Sequence, residues 1–205
     1  MSTPRVGVLA LQGGVAEHVR LLEDLGAGVS LIRRPRELLG PDGARVDAVV
    51  LPGGESSTIE KLLRTFHLDE PLRLAIDQGL PALGTCAGLI LLARTVLDPA
   101  PGQRSLGLLN VAVRRNSWGA QQASAEVRLT TEWGAAEAAF IRAPGIEAVG
   151  EDVQVLARHR GAVVAVRQGT VIGLTFHPEL TGEALFHRRL LTVAGSRVGR
   201  ASLPA

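Results

Sequence analysis

Apolar runs that stop at glycine constrain this chain more than any other feature. "RVGVLAL" (5–11) breaks off at "QGG", and "VDAVVLP" (46–52) at "GGESS". "LPALGT" (80–85) runs into a lone cysteine. A strand covered on both faces reads as continuous apolar sequence, not as an alternation, and the turn sits at its exit. Between these runs the period is helical. Val15, Val19, Leu22 and Leu25 share one face of a helix that closes at Gly26. Residues 56–66 and about 69–78 read as two more helices, the first with Ser56, Ser57 or Thr58 as caps. "GVSLIR" (28–33) reads as a further strand, and "AGLILLARTVL" (87–97) as a very apolar helix. Such alternation builds an α/β domain around a mainly parallel sheet.

Beyond residue 105 the rhythm changes. "LLNVAVRR", "SAEVRLT", "AAFIRA", "VQVLARH", "AVVAVRQ" and "VIGLTF" are short strand candidates with few helices between them. They read as antiparallel or mixed strands added to the sheet. A last helix is expected over about 181–194, followed by a frayed tail over about 196–205. The 205 residues show no internal repeat and no composition break, so 1–205 is expected to be one domain.

Composition excludes several classes. With 46% hydrophobic and 20% charged residues the chain is globular, not disordered. A net charge of +2 says little for nucleic acid, a reading that needs a clustered basic face, and no nucleic-acid partner is expected. No stretch reaches the roughly 20 apolar residues of a membrane span, and the N-terminal apolar run is too short for a signal peptide. One cysteine forbids an internal disulfide and suits a reducing, cytoplasmic setting.

That cysteine, Cys86, lies in "GTCAG". A nucleophile on a tight strand-to-helix turn is forced into an unfavourable backbone region, so its neighbours two residues away must be tiny. In return the side chain is exposed at the carboxyl edge of the sheet, where open α/β sheets bind ligands. The following helix N-terminus favours negative charge on the sulfur. Of the five histidines, His18, His67, His159 and His187 read as solvated surface residues. His177 differs, because it follows an apolar strand in "GLTFHPEL". Pro178 biases it to an extended conformation, and Glu179 at i+2 can point the same way and hold the imidazole in one tautomer. "PGGESS" (52–57) also lies at a carboxyl edge, where glycines let backbone N–H groups approach a ligand. The N–H groups of Gly54 and Ala87 are the natural oxyanion donors. Nothing resembles a cluster of metal ligands.

"PGGES", "GTCAG" and "FHPEL", in this order, resemble the class I glutamine amidotransferases. "GVLALQG", "LGLLNVAVRRNSWG", "FIRAPGIEAVG" and "FHPELTGE" narrow the resemblance to the glutaminase subunits of pyridoxal 5′-phosphate synthases, from about residue 5 to 190. The resemblance implies a flavodoxin-like three-layer sandwich with a mixed, mainly parallel sheet. It implies hydrolysis of L-glutamine through a glutamyl thioester by Cys86, His177 and Glu179, with no cofactor. It places Gly53, Gly54, Glu55, Arg115, Ile141 and Arg142 against glutamine. It implies docking on a barrel-shaped synthase subunit that receives the ammonia through its interior. Gln12 and Gly13 would then rearrange on docking to complete the oxyanion site. The chain departs from the usual pattern at Trp118, Ala120 and Ala125. Rival readings are the glutaminase of another pathway, such as imidazole glycerol phosphate synthesis, a cysteine peptidase on a related fold, or a silent binding subunit.

Overall fold

A computed structural model describes residues 3–117 and 124–201. Trp118 and Ala120 lie outside the described residues, as do 202–205 of the expected tail. In chain order the first half gives β1 (Arg5–Leu9), α1 (Val15–Asp24), β2 (Gly28–Ile32), α2 (Pro35–Leu38), β3 (Leu39–Gly40), β4 (Gly43–Ala44), β5 (Ala48–Leu51), α3 (Ser56–Thr65), α4 (Asp69–Asp77), β6 (Ala82–Thr85), α5 (Ala87–Leu92) and β7 (Ala93–Val96). The second half gives β8 (Leu109–Arg114), β9 (Ser124–Thr131), β10 (Gly134–Ile141), β11 (Gly145–Val149), β12 (Gln154–His159), β13 (Ala162–Gln168), β14 (Val171–Leu174), a 3₁₀ turn (Pro178–Leu180) and α6 (Leu185–Ala201).

Five strands pair in parallel in the order β2-β1-β5-β6-β14, the flavodoxin-like arrangement. Beyond β14 the sheet turns antiparallel through β13, β12, β9 and β10. β11 branches from β13 to β8, and β8 pairs in parallel with β7.

β5 shows why the central strands read as unbroken apolar runs. Val49 and Leu51 face a core built with α3, α4 and α5 residues such as Leu63, Leu72 and Leu89. Ala48 and Val50 face the opposite core, with Leu22 of α1 and Phe186 and Leu190 of α6. All four β5 residues are fully buried, so no polar residue has a place on either face.

Two expected elements have different bounds. The helix expected over 87–97 ends at Leu92, and Ala93–Val96 form β7 instead. Ala93 has left helical geometry (φ −56°, ψ 146°), and β8 offers the next three residues a ladder that suits Thr95 and Val96 better than another helical turn. The last helix starts at Leu185, not 181, because Glu183 accepts the Leu185 N–H at 2.8 Å and fixes the entry there. It then runs to Ala201, past the expected 194. The short α2 and the β3–β4 hairpin, at Pro35–Ala44, carry no apolar period long enough to read. Among the described residues no helix is long and apolar enough to cross a membrane.

Candidate active site

Cys86 sits on the peptide that joins β6 to α5, with φ 49° and ψ −101°. A non-glycine residue reaches this region only where its surroundings enforce it. Here the Cys86 N–H is held by the Leu174 carbonyl of β14 at 2.8 Å, and the two flanking glycines are compressed. A Cβ on Gly84 would stand 2.7 Å from the Gly88 carbonyl oxygen, and one on Gly88 would overlap the Leu51 carbonyl of β5. The G-x-C-x-G spacing is thus a packing requirement of the turn. Ala87 opens α5, so its N–H has no partner inside the helix.

His177 leaves β14 in extended geometry (φ −115°, ψ 88°), and its N–H is pinned to the Ala139 carbonyl of β10 at 2.8 Å. Its Nδ1 lies 2.7 Å from Glu179 Oε1, and Cys86 lines the same cleft as the ring. With Nδ1 taken by the carboxylate, Nε2 is left for the sulfur. A Cβ on Gly53 would overlap this ring, so the "PGGES" loop closes directly over it. Burial alone would lower the basicity of His177. Hydrogen bonding and charge from Cys86 and Glu179 outweigh it and push the pKa up to about 10. Burial likewise opposes the charge on Glu179, but His18 and His177 together hold its carboxyl below the usual carboxylate range.

These groups line a cleft of about 330 Å³, roomy enough for a free amino acid. Its wall also includes Gly53, Gly54, Glu55, Arg115, Ile141 and Arg142, so every residue expected to meet glutamine is in one place. Arg115 reaches Glu55 at 3.2 Å and Gln103 at 3.1 Å. Glu55 also caps α3 by accepting the Ser57 N–H and hydroxyl. Arg142 carries φ 45° and Asn116 φ 48°. Together with Cys86, three of the five described non-glycine residues with positive φ border this one cleft. Strain of this kind collects where a site must be held in shape.

The segment after β1 folds onto the same loop. Gln12 Oε1 accepts the Glu55 N–H at 2.8 Å, and the Gly14 N–H meets the Gly53 carbonyl at 3.0 Å. Gly13 has φ 103°, and a Cβ there would overlap the Gly53 carbonyl. Gln12 and Gly13 therefore abut the expected oxyanion loop. Ala125 lies on β9, exposed and away from the cleft lining. Among the described residues no group of three or more His, Cys, Asp or Glu could hold a metal ion.

Two expectations fail. His18 and His187, expected at the surface, are both fully buried. His18 Nδ1 lies 2.9 Å from His187 Nε2, and its Nε2 lies 3.1 Å from Thr85 Oγ1 and 3.4 Å from Glu179 Oε1. Burial first, then His18, lowers the pKa of His187 to about 3, so that ring is neutral at physiological pH. The signal was in the sequence. His18 falls three residues after Val15 and four before Leu22, on the apolar stripe of α1, and His187 falls three before Leu190. Charged flanks, "EHVR" and "FHRR", masked it. His67 is exposed, and His159 is half-buried, stacked on Phe140.

Comparison with known proteins bears on the family and the fold. The family model for the SNO glutamine amidotransferase family matches residues 8–192. The pyridoxal 5′-phosphate synthase subunit PdxT of Parafrankia sp. (strain EAN1pec) is 51% identical over 202 residues, covering 97% of this chain and 97% of its own. The protein of the same name from Acidothermus cellulolyticus is 52% identical over 192 residues, covering 90% of each chain. A crystal structure of a glutamine amidotransferase, 42% identical, superposes with a TM-score of 0.86 over 93% of this chain and 98% of its own.

Proposed function

The chain belongs to the SNO glutamine amidotransferase family, and we propose that Cys86, His177 and Glu179 are the triad with which it works. It is a glutaminase, the amidotransferase subunit of a pyridoxal 5′-phosphate synthase, and so serves vitamin B6 synthesis. Its substrate is glutamine and it acts with a synthase partner.

The Cys86 sulfur attacks the carboxamide carbon of glutamine. The oxyanion that forms lies between the N–H groups of Gly54 and Ala87, each donor worth on the order of 3 kcal/mol of barrier. His177, held protonated by its neighbours, gives its Nε2 proton to the leaving nitrogen. The C–N bond breaks, ammonia departs and a glutamyl thioester remains. The now neutral His177 takes a proton from water, whose oxygen attacks the thioester carbon. The C–S bond breaks, glutamate leaves, and the thiolate–imidazolium pair returns. Glu179 keeps Nδ1 occupied throughout, so the same ring nitrogen serves both half-reactions. Arg115 and Arg142 suit the α-carboxylate, and Glu55 the α-ammonium.

Ammonia released into water is protonated and loses its nucleophilicity. A barrel-shaped synthase subunit that docks over the cleft and takes the ammonia through its interior avoids that loss. Gln12 and Gly13, packed against the Gly53–Gly54 loop, are placed to rearrange on docking. A cytoplasmic setting suits the single thiol on which the chemistry depends.

One observation carries the reading: a strained cysteine and a carboxylate-held imidazole share one cleft. The test is glutamate release from glutamine by wild type and by Cys86→Ala, each with and without purified synthase subunit. Wild type is expected to be slow alone and faster with the synthase. Cys86→Ala is expected to lose at least about 10³-fold in kcat. Full activity of the lone wild-type chain would remove the coupling, and turnover by Cys86→Ala would remove the triad.

A further inference from the structure

The three groups of the proposed triad do not exhaust the buried polar groups at this site. Glu179 is the end of a longer chain that runs inward, away from the cleft, between α1 and α6. Its Oε1 faces two imidazoles, His177 at 2.7 Å and His18 at 3.4 Å. Its Oε2 is buried with no partner among the described residues. Among the described residues the carboxylate is therefore held through one oxygen, and His18 alone meets it from the interior side. His18 in turn is fixed by Thr85, the residue before Cys86, and by His187.

With His18 neutral, one tautomer assignment fits all four groups. His187 donates from Nε2 to His18 Nδ1, and the His18 Nε2–H is directed to Thr85 Oγ1 at 3.1 Å with Glu179 Oε1 beside it at 3.4 Å. His187 Nδ1, which has no partner among the described residues, is then a bare lone pair. The opposite assignment would turn a lone pair of His18 against the carboxylate and leave a buried N–H of His187 unpaired, which costs more.

We propose that His18 is a positioning residue for the glutaminase reaction, acting through Glu179 on the His177 ring. His187 sets the tautomer of His18, and α1 and α6 hold the pair in register. The proposal rests on the triad reading above. It places the orientation of His177 under the control of helix packing on the far side of the sheet from α3, α4 and α5.

The groups facing Glu179 are His177 on its own turn, His18 and Glu17 on α1, His187 on α6 and Cys86 after β6. β10 meets this turn through the backbone of Ala139. Without the His18 donor, burial is opposed by His177 alone, so Glu179 becomes easier to protonate. The acid limb of kcat/KM then moves to higher pH.

Two variants separate positioning from packing. In His18→Gln the side-chain amide nitrogen reaches the place of Nε2 and keeps a donor on Glu179. In His18→Asn the amide reaches only the place of Nδ1. Both are measured as full chains with synthase subunit, beside wild type, by glutamate release across pH 4–9. His18→Gln is expected to stay within about threefold of wild-type kcat, with its acid limb in place. His18→Asn is expected to lose about tenfold in kcat with KM changed less than about twofold. Its acid limb is expected to rise by about one pH unit. Equal loss in the two variants, no loss in either, or a larger loss in His18→Gln overturns the proposal. If both variants unfold below the assay temperature, His18 is a packing residue and the proposal also fails. A wild type that releases no glutamate sinks the triad reading itself, which is a different result from unaltered variants of an active enzyme.

Discussion

Two histidines belong to one buried chain of polar groups, His177 bonded to the Glu179 carboxylate and His187 one ring further in, and the protein drives them in opposite directions. On the cleft side His177 is pushed up to about 10, and on the interior side His187 is pushed down to about 3. Burial acts on both with the same sign, because removing water penalises the charged ring. The difference is the neighbour. His177 bonds Glu179 directly and faces a sulfur that can carry negative charge, so its proton is retained. His187 meets Glu179 only through the His18 ring, and the pull of that more distant carboxylate does not offset burial and the opposing influence of His18. Depth alone does not decide what a buried histidine does. The group one contact away decides it: a carboxylate for His177, another imidazole for His187.

The sharpest way to break this contrast is to remove the charge at its centre. Glu179→Gln keeps the size of the side chain but replaces the carboxylate with an amide that can donate as well as accept. His177 then loses its partner charge and is free to take the wrong tautomer. A drop of roughly 10³–10⁴-fold in kcat is expected, with glutamine KM little altered, since the loss falls on the transition state and not on binding. Initial rates of glutamate release at saturating glutamine, with the synthase subunit present, measure it. A loss smaller than about tenfold would mean that the ring is oriented by Gly53 and the β10 backbone instead.

The cleft side of this contrast was legible in the sequence and the interior side was not, for a physical reason. Cys86 announces itself because its turn imposes glycine at 84 and 88, and steric demands of that kind are local. His177 and Glu179 are two residues apart, so a single extended segment sets their relation. The His18–His187 contact spans 169 positions, and nothing near either residue specifies the other. Their burial is set by helix phase, and the arginines and glutamates around them weigh more heavily in composition than in phase. The same division holds for the fold. The parallel half was readable because its strands are covered on both sides and end at sharp turns. β7 was missed because its exit from a helix depends on β8, a strand that follows it in sequence.

The turn itself can be tested without touching any reacting group. Gly88→Ala adds one methyl group whose place is already filled by the Leu51 carbonyl of β5. Alanine is the better helix former by about 1 kcal/mol, but α5 cannot shift from β5 without dragging the Cys86 peptide. Overpacking of this kind costs about 1–3 kcal/mol or more, and backbone cannot relax as a side chain does. A net loss near 2 kcal/mol is expected, seen as a fall in Tm of about 4–8 °C for a chain of this size. An unchanged Tm would show that α5 has freedom to move, and with it that the strain at Cys86 is not enforced by packing.

The interior histidine gives the smallest effect and the cleanest sign. His187 has its pKa lowered from 6.5 to about 3 in the folded chain. As pH falls below 6.5 the unfolded chain takes up a proton there that the folded chain refuses, so folding stability drops until pH reaches about 3. His177 acts the other way: its raised pKa gives stability that is fully present below pH 6.5 and fades only as pH climbs through about 10. Glu179, depressed from 4.5, loses its contribution only at more acid pH still. The window from pH 6.5 down to 4.5 therefore isolates His187, apart from a smaller contribution of the same sign from His159, whose pKa is also lowered by burial and by Arg160. His187→Leu keeps an apolar side chain at this fully buried position while removing the titrating ring, and the fall in Tm across that window should be shallower in the variant than in wild type. At pH 8 the two should differ by only about 1 kcal/mol, because the variant loses one buried hydrogen bond while the unpaired Nδ1 of His187 is exchanged for an unpaired Nδ1 on His18. Parallel Tm curves for the two proteins would mean that His187 is not held neutral, and the opposition between the two histidines would disappear with it.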